Sequence, residues 1–146
     1  MKKKIAIGVL ILLVLIQFIP VDTTNPTVDT QKDFIVITKA PQEVAQILKT
    51  SCYDCHANET AYPWYFKIAP VSWWLKNHIN EGRRELNFST WGDYTAKRKD
   101  KKMKESIKMV QEGEMPMWSY TLVHKDAVIN EAQQKILTDW FTTLRT

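Results

Sequence analysis

Hydrophobic and polar positions divide the chain into three regions. The first is an apolar run from Ile5 to Ile19 behind Lys2, Lys3 and Lys4. It has no polar face, so it does not read as a helix packed on a soluble core; a charged start and hydrophobic centre are the marks of an export signal. About 15 apolar residues is short for an unassisted transmembrane helix, which usually takes around 20. No small-residue cleavage site precedes Pro20, so the expectation for residues 1–20 is an uncleaved signal anchor with the lysines on the cytoplasmic side, and a cleaved signal is the alternative. Either way the rest of the chain is expected to be exported across a bacterial cytoplasmic membrane, to its periplasmic side.

Residues 21–40 are polar and β-branched without helical periodicity, as a linker is, and Phe34 to Ile37 reads as a short extended piece. The third region, 41–146, carries helical stripes. Pro41 suits the first position of a helix with Val44, Ile47, Leu48 and Cys52 on one face. Two prolines in the aromatic stretch Ala57 to Pro70 predict an ordered loop. Ser72 reads as the cap of a helix with Val71, Trp74, Leu75, His78 and Ile79 on one face, so that His78 points inward, and with Gly82 as its weak point or end. A polar helix with Met103, Ile107 and Val110 as its apolar stripe runs from Thr95 to Gln111, and Glu112-Gly113 ends it. Asn130-Glu131-Ala132-Gln133 has the form of a capping box before a last amphipathic helix, expected to pack on the helix leading into Cys52. The fold class is therefore all-α: a small helical domain after an N-terminal hydrophobic helix.

Charge adds one exclusion. The formal charge is +4, but Lys2 to Lys4 supply three of 20 basic residues and no acidic residue precedes Asp22, so from Val21 onward 17 basic residues face 16 acidic ones. A nearly neutral domain argues against nucleic acid as a partner. The basic cluster from Lys97 to Lys104 reads as a solvated helix face, or as a docking patch for an acidic redox partner or anionic lipid.

The candidate chemistry lies in Cys52-Tyr53-Asp54-Cys55-His56, which holds both cysteines of the chain. C-x-x-C-H is the pattern of covalent haem attachment, two thioethers to the porphyrin and an adjacent imidazole as axial iron ligand. A zinc or thiol-redox module is disfavoured, because there is no second Cys or His pair and no βαβ pattern. For the other axial position, Met-Pro in a loop just before the last helix makes Met115 the first candidate, with Met117, His78 and His124 as alternatives. Each methionine also suits flexible core filling. Tyr62, Trp64, Trp74 and Trp118 are candidate aromatic walls, and Arg83 and Arg84 are candidates to pair with propionates, guanidinium and carboxylate matching bidentately.

Several stretches together resemble a small c-type cytochrome, and more specifically the bacterial haem-binding domain family. They are the pentapeptide, Tyr62-Pro63-Trp64-Tyr65, Ala69-Pro70-Val71-Ser72-Trp73-Trp74, Glu81-Gly82-Arg83-Arg84-Glu85-Leu86-Asn87-Phe88, and Gly113-Glu114-Met115-Pro116 with Trp118 and Tyr120. The resemblance spans Pro41 to Leu144. It implies a cytochrome c-like fold and one covalent haem c, with Cys52 and Cys55 as thioether sites, His56 as proximal ligand and Met115 as sixth ligand. The expected role is single-electron transfer with a redox partner protein rather than enzymatic catalysis. The rival is a haem sensor or peroxidase-like enzyme with an open distal site served by His78 or Arg83.

Overall fold

In the computed structural model, which describes residues 1–145, the helical stripes become α-helices and no strand occurs among the described residues. In chain order they are α1 (Lys2–Leu15), α2 (Phe34–Thr38), α3 (Gln42–Ser51), α4 (Tyr53–His56), α5 (Val71–Glu85), α6 (Ala96–Gln111), α7 (Trp118–Thr121) and α8 (Glu131–Thr143). The all-α expectation holds.

The core is aromatic and aliphatic. Phe34, Leu48, Phe88, Met103, Leu137 and Phe141 are its fully buried side chains. Phe34 meets Phe88 and Trp91 at ring separations of 5.1 and 4.9 Å, and Tyr53 stacks on Phe88 at 5.1 Å. Removing one such ring costs about 3–5 kcal/mol. The last helix packs on α3, as its apolar face predicts, and also on α6. Asn130 and Gln133 form the expected reciprocal capping box, and Gly113 ends the α6 segment at a φ of 72°, which a glycine adopts without strain.

Three local expectations are corrected. Phe34 to Ile37 is helical rather than extended: the Asp33 carboxylate accepts from the Ile35 amide at 2.9 Å, and burial of Phe34 outweighs the β-preference of Ile35, Val36 and Ile37. Asp33 also accepts from the Tyr53 hydroxyl at 3.0 Å, so this stretch is fastened to the motif helix. Ser72 is no cap: α5 starts one residue earlier, at Val71, with Pro70 in the cap position and no side-chain cap bond, and the Ser72 side chain is buried.

The third correction concerns the extent of the N-terminal helix. The α-helical part of α1 stops at Leu15 and a 3-10 turn carries it on to Phe18, so the two together reach about 27 Å, against a hydrocarbon thickness of about 30 Å. No helix among the described residues is long and apolar enough to cross a membrane.

Candidate functional site

The chain breaks helix at the first cysteine. Cys52 ends α3 with φ −128° and ψ −39°, and α4 restarts at once, closed by the His56 amide donating to the Cys52 carbonyl at 2.9 Å. Cys52 is half-buried against the core, as the stripe predicts, but at the break rather than within the helix. Neither thiol is in a disulfide. Burial pushes Cys52 up to about 12 and Cys55 up to about 11, so both are protonated near neutral pH.

Helix α5 crosses α4 at very short range, and Gly82 is the reason it can. A Cβ at position 82 would stand 2.7 Å from the Cys55 carbonyl oxygen. Gly82 is therefore a contact point inside a helix that continues to Glu85, not its end. The approach brings two carbonyls to the histidine of the motif: His56 Nδ1–H donates to the oxygens of Gly82 and Leu86, each at 3.0 Å. With Nδ1 committed, Nε2 is the nitrogen left for a metal, and a backbone-fixed tautomer is what an axial ligand needs. Burial lowers the His56 pKa, against the two hydrogen bonds that raise it, and keeps the ring neutral.

Beside Cys55 lies a small apolar cavity of about 50 Å³ walled by Phe66, Trp74, His78, Met117, Tyr120 and His124, among others. A wider cleft of about 490 Å³ adjoins it, and Asp54, Ala61, Pro63, Tyr120 and His124 line both. The divide is held by two hydrogen bonds. Tyr120 donates to the Asp54 carboxylate at 2.7 Å, and Tyr65 and His124 pair at 2.6 Å, while the Tyr120 and His124 rings stack at 4.2 Å. Burial, then the bond to Asp54, raises the Tyr120 pKa.

The structure gathers some of the expected site residues and disperses others. Trp74, His78, Met117 and His124 line the cavity with Cys55; Tyr62 lines the adjoining cleft. His78 Nδ1–H donates to the Trp74 carbonyl at 2.9 Å. Met115 instead packs against the core cluster. Trp64 and Trp118 are largely exposed, at 73% and 77%. Arg83 is committed elsewhere: its guanidinium donates to the Ala57 carbonyl, Asn25 and Thr60, each at 2.8 Å. Arg84 is exposed and faces Glu81 at 3.6 Å. Neither arginine lines the cavity. Sequence reasoning missed Gly82 and Leu86 as supports of His56, and Asp54, Tyr65 and Tyr120 as the divide. For Gly82 the available signal was a glycine inside a helical stripe, and the two tyrosines stood out only within the quoted motifs.

The residues fit a haem by donor chemistry: two free thiols three positions apart, a neutral imidazole with one nitrogen fixed, and thioether and aromatic side chains around an apolar cavity. Among the described residues no cluster of three or more His, Cys, Asp or Glu gathers for another metal. No match is found among curated proteins or solved structures. A family model described as haem-binding domain matches residues 11–143, which takes in the fixed histidine, both thiols and the cavity beside them, and the chain therefore belongs to the haem-binding domain family.

Proposed function

We propose that the protein is a mono-haem c-type electron carrier, with Cys52 and Cys55 as thioether sites and His56 as proximal ligand. The observation that carries this reading is the His56 ring, held by the carbonyls of Gly82 and Leu86 within a C-x-x-C-H sequence whose thiols are both free. When bound, the haem supplies one-electron ferric–ferrous chemistry. The chain's own part is to orient the imidazole, keep its tautomer, and line the apolar side of the motif with Trp74, Met117 and Phe66.

The sixth ligand is a thioether from the loop before the last helix. Met115 is supported by the Met-Pro pattern and the resemblance to cytochromes c; Met117 is supported by its place on the cavity wall. Ferric spectra of Met115→Ala, Met117→Ala and His78→Ala decide between them. Met115→Ala is expected to turn the iron high-spin, with the other two unchanged. A spin change in Met117→Ala alone transfers the role to Met117, and one in His78→Ala alone refutes thioether ligation.

One observation favours the sensor or peroxidase-like reading: His78 faces the cavity with Nδ1 bonded to its own helix. Against it, Arg83 is held by three hydrogen bonds to Ala57, Asn25 and Thr60 and does not line the cavity. Ready carbon monoxide binding by the ferrous protein supports this second reading and refutes a filled sixth position. Export to the periplasmic side, attachment to the membrane through the N-terminal segment and a protein redox partner belong to the same proposal.

A further inference from the structure

A collar of exposed apolar side chains surrounds the base of α1, outside the cavity beside Cys55. No residue of α1 is buried, and from Ile5 to Leu15 the helix is apolar on every side. Its base is tied to the domain by specific bonds. The Gln17 amide donates to the Ala69 carbonyl and accepts from the Ala69 amide, both at 3.0 Å, and the Trp73 indole donates to the Ile19 carbonyl at 3.3 Å. Farther along, Asn25 bonds Arg83 at 2.8 Å and the Thr60 carbonyl at 2.9 Å, and the Thr27 carbonyl accepts from Asn58 at 3.2 Å. The segment leading from α1 into the domain is fastened along its length.

Around this junction stand large apolar side chains open to water. Phe18 and Ile19 are 79% and 58% exposed, and Ile68 and Val71, on either side of Ala69-Pro70, are each 43% exposed. Trp64 precedes Ile68 by one helical turn and is more exposed still. Such a grouping marks an interaction surface. Its occupant follows from its neighbours. A helix apolar all round must leave water for a hydrophobic phase, Lys2 to Lys4 at its start and exposed Lys67 beside Ile68 complement anionic headgroups, and tryptophan suits the boundary between hydrocarbon and water. A 3-10 turn over Ile16–Phe18 continues α1 without a break and brings the apolar run to its end at Phe18 and Ile19, where the collar is.

We propose that Phe18, Ile19, Trp64, Ile68 and Val71 form a seat that sinks into an anionic phospholipid bilayer, and that the Gln17–Ala69 and Trp73–Ile19 bonds hold the domain on it in one orientation. This rests on the N-terminal membrane attachment proposed above and extends it to the domain's own surface. None of the five lines the cavity beside Cys55.

The test uses the full chain and vesicles of phosphatidylcholine with phosphatidylglycerol, reading both co-sedimentation and hydrogen exchange. The wild type is expected to bind, with slowed exchange across residues 64–72. Ile68→Asp with Val71→Asp should weaken partitioning about ten-fold or more, while Lys135→Glu on α8 leaves it unchanged. Both collar positions are exposed, so circular dichroism should report an intact fold. Gln17→Ala should keep partitioning but lose the protection at 64–72, because the tether persists and the fixed pose does not. Equal partitioning of the double variant with no protection at 64–72 overturns the seat and leaves α1 as a bare tether. A wild type that does not bind vesicles overturns seat and tether together. Covalent haem content, measured on the same samples, reports separately on the haem proposal.

Discussion

The two sides of the C-x-x-C-H segment are built differently. On one side α5 presses backbone to backbone on α4, with Gly82 at a distance that admits no side chain, and two carbonyls fix His56. On the other, the segment from Met115 to His124 is held by side-chain bonds to Asp54 and Tyr65, and carries exposed Trp118, Leu122 and Val123. The first side is set by the fold itself; the second can rearrange by exchanging side-chain partners. A site that must hold one ligand rigidly and still admit a large planar group needs both.

Thiol chemistry offers the largest effect with which to break this contrast. In haem-free protein at pH 8, burial should make Cys55 alkylation about 10²-fold slower than in the unfolded chain, given its rise to about 11 from the usual value near 8.5. The gap should close only as pH approaches 11, which a pH series with a mass-spectrometric readout checks; equal rates at pH 8 would show an open site.

The next effect concerns the tight side. Gly82→Ala should cost about 1–3 kcal/mol in denaturant unfolding, since the new Cβ meets backbone and cannot be accommodated by a rotamer change. An exposed helical glycine would gain stability from the same change. On the looser side, Tyr120→Phe should cost only about 1 kcal/mol and raise hydrogen exchange around α7, because Asp54 keeps its bond from the Ala61 amide at 3.0 Å. Reversal of that order would place the rigid half of the site on the wrong side.

A smaller effect sharpens the role of His56. Its pKa is depressed in the folded haem-free protein, so the neutral ring adds no penalty above the unfolded value near 6.5. As pH falls below that value the unfolded chain takes up a proton that the folded one resists, and stability should fall until the folded pKa is passed. Unfolding curves from pH 7 to 5 should show the decline, less steeply in His56→Ala.

Much of the architecture was legible in sequence, because helical stripes, the capping box and Gly113 are local signals. What escaped depended on distant contacts. Gly82 looked like a helix defect by propensity, yet its role is set by Cys55, 27 residues earlier. Phe34 to Ile37 looked extended until the Asp33 cap and the burial of Phe34 are seen together. Arg83 and Arg84 looked alike as neighbours, but one is locked onto Ala57, Asn25 and Thr60 and the other is at the surface. The pentapeptide singled out the histidine and thiols; the Met-Pro pattern ranked Met115 ahead of Met117, but nothing local told that Met115 packs on the core while Met117 lines the cavity wall.

The central claim is that Cys52 and Cys55 hold a single haem covalently with His56 beneath it. Intact mass of the full chain, matured with haem c machinery and then fully denatured, tests it most directly. The account predicts the mass of the polypeptide plus one haem, lost in Cys52→Ala with Cys55→Ala. Haem that leaves the wild-type chain on denaturation would contradict it.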